Sequence, residues 1–172
     1  MLLLFVSCVT SASTEAQPRT SRANLRALFI GNSYTYFNNL GDIVSGIAAS
    51  QKSGPIVSST LAVRGGVTLQ WHLENGPAMA ALQTGGWDYV VLQEQSLLGG
   101  GIVDGKSIIG DPTSFHAAVR ELTLRIRAVG ARPLLFMTWA ARDSLADQGK
   151  LSDAYLAIGR ELGVEVAPVG DA

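Results

Sequence analysis

The sequence predicts an α/β protein with a parallel sheet, and three observations point there. From Leu25 onward, short apolar runs alternate five times with segments of helical period. The links are short, and many of the 19 glycines fall directly after the apolar runs, where such proteins turn from strand to helix. The run Asp88 to Leu92 is apolar without alternation beyond its first residue, as expected of a strand covered on both faces.

In chain order, Leu25 to Ile30 reads as a buried first strand ending at Gly31. Leu40, Ile43, Val44 and Ile47 then recur at helical spacing, and Gly54-Pro55 breaks that helix. Ile56 to Val63 reads as the second strand, closed by Gly65-Gly66. Thr68 to Gln83 has the pattern of a helix that Gly76-Pro77 kinks or splits. Asp88 to Leu92 is the third strand, and Gly99 to Gly110 reads as a glycine-rich loop. Phe115, Val119, Leu122, Ile126 and Val129 mark one face of the next helix, and Pro133 to Trp139 is the fourth strand. Leu151, Ala154, Ile158 and Leu162 mark a further helix before the fifth strand, Val164 to Val169. Such alternation calls for a three-layer α/β/α arrangement with helices on both faces of the sheet. A flavodoxin-like five-stranded parallel sheet is its simplest form.

Composition bounds the rest. A chain of 172 residues holds one domain with a proper core. With 47% hydrophobic and 16% charged residues it reads as globular. The formal net charge of −1 and the lack of a basic run argue against a nucleic-acid partner. No Cys, His and carboxylate set has metal-ligand spacing, and no glycine-rich nucleotide loop occurs, so neither a metal nor a cofactor is implied.

Residues 1–16 stand apart. Leu2 to Val6 is an apolar run too short to span a bilayer, followed by Ser, Thr and Ala. This reads as a secretory signal cut after Ala12 or Ala16, although the positive n-region is missing, and it implies a secreted or periplasmic protein. Cys8, the only cysteine, follows Phe5-Val6-Ser7 in a string that resembles a lipidation site, with Phe5 a poor fit. The plainer reading discards Cys8 with the signal. Residues 17–24, polar and containing Pro18, read as a linker, and 25–172 as the domain.

In such a sheet, ligands bind beyond the carboxyl ends of the strands. Ser33, in Gly31-Asn32-Ser33-Tyr34-Thr35, follows the first strand where the chain turns toward a helix. A serine there exposes its oxygen at the rim, and nearby N–H groups favour developing negative charge. The competing reading is that Asn32 and Ser33 cap the helix. Gly66 follows the second strand, where a glycine lets a backbone N–H approach a ligand or simply makes a turn. Gln95 follows the third strand and carries an amide that can donate to an oxyanion or solvate its loop, while Glu94 alternates with it and is expected to point elsewhere. Thr138 and Trp139 follow the fourth strand. Phe37, Trp71 and Trp139 are candidates to line a cleft, or to sit in the core.

Together these groups resemble the SGNH/GDSL hydrolases. Leu28 to Thr35 looks like that family's first block, with Asn32 where Asp is usual. Gly66-Val67-Thr68 is similar to the second block. Val90 to Ser96 sits where the third block, Gly-x-Asn-Asp, belongs, with Gln93 for the glycine and Gln95 for the asparagine. The order agrees over Leu25 to Asp171. The resemblance implies a serine ester hydrolase with Ser33 as nucleophile and an oxyanion hole from Ser33, Gly66 and Gln95. Asn32 and His72 are possible substrate contacts, and the substrate is a small or carbohydrate ester.

The family's last block, Asp-x-x-His, supplies the base and follows the fifth strand. Here the sequence runs to Gly170-Asp171-Ala172, and the positions three before His72 and His116 are Leu69 and Thr113. The expectation is a domain incomplete at its C-terminus, impaired as an esterase, with Val166 and Val169 left bare. The alternative is a non-catalytic flavodoxin-like module whose Ser33 loop holds an anion or a sugar.

Overall fold

A computed structural model describes residues 22–172. The signal expected over residues 1–16, the lipidation site at Cys8 and most of the linker lie outside the described residues. The linker's last residues belong to the domain instead. Arg22 Nε donates to Gly54 O at 2.6 Å, Ile56 N–H donates to Ala23 O at 2.8 Å, and the first strand starts at Asn24. The guanidinium has more to gain from these carbonyls than from remaining in a free linker.

Five strands, β1 (Asn24–Gly31), β2 (Ile56–Val63), β3 (Tyr89–Leu92), β6 (Arg132–Phe136) and β7 (Glu165–Ala167), form a sheet ordered β2-β1-β3-β6-β7. Every pairing in it is parallel. This is the flavodoxin-like order. The chain reverses its direction of travel between β1 and β3, and a crevice opens there at the carboxyl edge.

The two faces are covered unequally. One carries α3 (Leu69–Asn75), α4 (Pro77–Gln83), α5 (Thr113–Ala128) and α6 (Gln148–Leu162), whose apolar stripes pack with Leu28, Ile30, Val90, Leu92 and Leu135. The other carries α2 (Leu40–Ser50), which sets Leu40 and Val44 against Ala27, Phe29, Val91 and Phe136. Right-handed crossovers explain the inequality. Only the β1-to-β2 link steps toward one edge of the sheet, and the three later links all step the other way. Among the described residues, then, one helix serves the second face. An apolar groove of about 940 Å³ runs along it, bordered by Ser33, Tyr34, Phe37, Phe136, Trp139 and Val169. Val169 is 39% exposed, as expected, but Val166 packs into the covered side, where its methyl group lies close to Gly159.

Two local features bear on the sequence reading: the split expected at Gly76-Pro77 is present, and the loop expected over Gly99 to Gly110 is not a plain loop. The segment 68–83 is two helices. Gly76 ends α3 at φ +92, and Pro77 starts α4 with the fixed φ and missing N–H that suit a first helical turn. The glycine-rich loop holds a hairpin of β4 (Gly101–Val103) and β5 (Lys106–Ile108). Its turn is Asp104-Gly105, both at positive φ, as a two-residue turn between twisted strands requires.

Candidate active site

Ser33 opens a separate single-turn helix, α1 (Ser33–Tyr36), ahead of α2, the helix that the spacing from Leu40 marks. Any attraction for negative charge at Ser33 therefore comes from individual N–H groups, because so short a helix sums few peptide dipoles. Asn32 caps it. Its Oδ1 accepts from Tyr34 N–H at 3.1 Å, while its Nδ2 donates to Val67 O at 3.0 Å, across to the loop after β2. The capping reading is right for Asn32, and this leaves Ser33 half-buried at the rim.

Behind Asn32 lies Gln93, only 1% exposed. Its Oε1 accepts from Asn32 N–H at 2.9 Å and from the Thr35 hydroxyl at 2.7 Å. Its Nε2 donates to Asn32 Oδ1 at 3.0 Å and to Glu94 O. All of this amide's strong hydrogen-bonding capacity is used, as a buried amide requires. The larger residue in place of the family's glycine thus clamps the turn that presents Ser33. It also dictates the glycine at position 31, because a Cβ there would lie 2.5 Å from Thr35 Oγ1 and 2.6 Å from Gln93 Oε1. Gly66 is a glycine for a different reason. Its φ is +73, and a Cβ would meet nothing within 4 Å.

Ser33, Gly66 and Gln95 follow β1, β2 and β3, which are adjacent and parallel, so all three lie at the carboxyl edge of one sheet. Gln95 Oε1 accepts from Leu97 N–H at 2.8 Å and Gly99 N–H at 3.2 Å, which fixes the amide. The Ser33 hydroxyl, the Ser33 and Gly66 N–H groups and Gln95 Nε2 have no hydrogen-bond partner among the described residues.

Asn32 and His72, expected as substrate contacts, are 3% and 2% exposed and form part of the scaffold. His72 Nε2 bonds Gly31 O at 2.8 Å, and burial holds the imidazole below its ordinary pKa, so it is the neutral, Nε2-protonated ring. Its Nδ1 is buried without a partner among the described residues. His116 Nε2 bonds Ala154 O at 2.9 Å on the helical side of the sheet. Neither ring takes a bond from Ser33. Of the three aromatic candidates, Phe37 and Trp139 border the groove, and Trp139 stacks on Tyr34 with centroids 4.6 Å apart and planes at 14°. Trp71 instead lies edge-on to His72, under the Arg64 guanidinium.

Sequence reasoning missed Gln93 and Glu94. Glu94 is 1% exposed, and burial raises its carboxyl to about 7 against the pull of two backbone N–H groups. A charged residue between a buried strand and a rim residue is the signal that was available.

No protein-family model matches the sequence, and no curated protein does. Solved structures match the fold. A protein of Slackia heliotrinireducens assigned to the SGNH hydrolases superposes with a TM-score of 0.68 at 24% identity, covering 83% of this chain and 78% of that one. A lipase/acylhydrolase from Enterococcus faecalis gives a TM-score of 0.62 at 16% identity, over 86% and 77% of the two chains. An acetyl-xylooligosaccharide esterase from Geobacillus gives 0.60 at 14%, over 85% and 76%. The fold is that of the SGNH hydrolases, as the motif resemblance implied.

Proposed function

We propose that this domain is a serine ester hydrolase of the SGNH/GDSL type. One observation carries the reading. The Ser33 hydroxyl and three N–H donors, from Ser33, Gly66 and the Gln95 amide, stand without partners among the described residues at one sheet edge, beside the β1/β3 crevice. Ser33 attacks an ester carbonyl while the three donors receive the oxyanion; the serine proton passes through the base to the departing alcohol, and water then cleaves the acyl-enzyme to release the acid. A donor of this kind is typically worth roughly 3 kcal/mol of barrier. Neither His72 nor His116 bonds to the Ser33 hydroxyl: each ring is tied through Nε2 to a backbone carbonyl, and His72 Nδ1, unpartnered among the described residues, is buried. We therefore assign the base to a residue outside the described ones.

The substrate class proposed is a carbohydrate or other small ester. The acetyl-xylooligosaccharide esterase among the similar folds favours it, as does the partly exposed Trp139 beside Ser33, a flat apolar surface of the kind sugar rings stack on. The signal-like residues 1–16 support export, which N-terminal sequencing of secreted protein tests by showing a start after Ala12 or Ala16.

The test of activity is turnover of p-nitrophenyl acetate. The 172-residue chain is expected to be slow, and adding an Asp-x-x-His segment after Ala172 to raise the rate by about 10²–10⁴-fold. Ser33→Ala is expected to abolish the faster rate. Equal rates with and without Ser33 would remove the hydrolase reading.

A further inference from the structure

We propose that Glu94 is the positioning residue that holds the two oxyanion-bearing loops in register, an inference that rests on the ester-hydrolase reading. Its carboxylate spans them. Oε2 accepts from Leu69 N–H at 3.0 Å, and Leu69 opens α3 directly after Gly66-Val67-Thr68. Oε1 accepts from Gln95 N–H at 2.7 Å. The backbone N–H of Glu94 donates to the Tyr155 hydroxyl at 3.0 Å, which anchors the bridge to α6. One buried side chain thus joins the loop after β2 to the loop after β3, and each of its oxygens holds one of them.

The bridge is tightest in the ionised form. Two N–H donors are aimed at two different oxygens, and a carboxylate offers both as charged acceptors. A neutral acid leaves its hydroxyl oxygen as a weaker acceptor, and the amide of a glutamine puts a donor facing one N–H. The carboxylate has no counter-ion among the described residues. Of the titratable groups on the elements packed around it, Tyr155 on α6 is pushed well above the ordinary phenol range by burial and stays neutral. His72 on α3 is turned to Gly31 O and is also neutral. Burial therefore delays charging to about pH 7, against the pull of the two loop amides that favour the carboxylate. With both oxygens taken by backbone donors, Glu94 is not placed to take the serine proton.

The experiment is an amide titration by nitrogen-15 NMR on the whole chain from about pH 5 to about pH 9, for wild type and Glu94→Gln, with p-nitrophenyl acetate turnover measured in parallel on the same two proteins extended by the Asp-x-x-His segment. Leu69 and Gln95 amides are expected to shift together with one midpoint near 7 in the wild type and not at all in Glu94→Gln. The wild-type rate is expected to fall on the acid side with the same midpoint. In Glu94→Gln, kcat is expected to drop about 100-fold at alkaline pH with KM little changed, the size expected of donors displaced by about 1 Å. Amides that do not titrate, or that titrate apart, overturn the proposal, as does a wild-type kcat in Glu94→Gln. If that variant does not fold, the wild-type amides decide the bridge and Glu94→Asp, which keeps the charge but shortens the reach, replaces it in the rate arm. Turnover that survives Ser33→Ala, with the two amides still titrating together, defeats the hydrolase reading while leaving the bridge intact.

Discussion

At the scale of single residues, the site is organised by side chains that do not touch solvent. Gly31 shows how tightly. In Gly31→Ala the new methyl group meets Thr35 Oγ1 and Gln93 Oε1, both held by other bonds. The variant is expected to lose about 1–3 kcal/mol, the usual cost of overpacking, read as a lower urea midpoint. Glu94 gives a pH signature. Its carboxyl titrates at about 7 in the fold and at the ordinary 4.5 in the unfolded chain, so the fold binds an extra proton between those values. Its contribution is full below the lower value and is lost as pH rises through the upper one, a fall of roughly 3 kcal/mol. His72 works the other way, because the unfolded chain accepts a proton below about 6.5 that the buried ring refuses. Urea midpoints across this range are expected to lose their alkaline fall in Glu94→Gln, and that variant is expected to be the more stable protein at pH 8. Stability and loop register are then in opposition at this position.

Among the elements, those with a strong local signal were legible in the sequence. β2 has the predicted limits, Ile56–Val63, because Gly54-Pro55 and Gly65-Gly66 close it on both sides. The break between α3 and α4 was legible because Gly76 and Pro77 each carry a backbone reason to be there. The β4–β5 hairpin was missed. Its strands have three residues each and expose Ile102 and Val103, so burial imposes no alternation, and only Asp104-Gly105 announced it. The rim positions Ser33, Gly66 and Gln95 followed from strand ends alone. The clamp of Gln93 and the bridge of Glu94 depend on which loop meets which across the sheet, and periodicity carries no such information. Gly76→Ala tests the αα break. At φ +92 a Cβ is strained though nothing crowds it, and a loss of about 1 kcal/mol in thermal or urea denaturation is expected.

For the whole molecule, the governing fact is the unequal dressing of the sheet. Four helices lie on one face and α2 on the other, so apolar side chains from β3, β6 and the segment after β7 border an open groove. A naphthalene-sulfonate dye is expected to bind the native protein and brighten. The double variant Phe37→Ser/Val169→Ser is expected to dim it, with stability changed by no more than about 0.5 kcal/mol per exposed position. The groove also shapes how molecules of this protein meet one another. With a formal net charge of −1 at pH 7, repulsion between copies is slight, and a short-range apolar attraction goes almost unopposed. In colloidal terms, the osmotic second virial coefficient is expected to be negative near neutrality and to rise toward zero at alkaline pH. Added salt offers little remedy, because there is hardly any like-charge repulsion for it to screen and the attraction is not ionic.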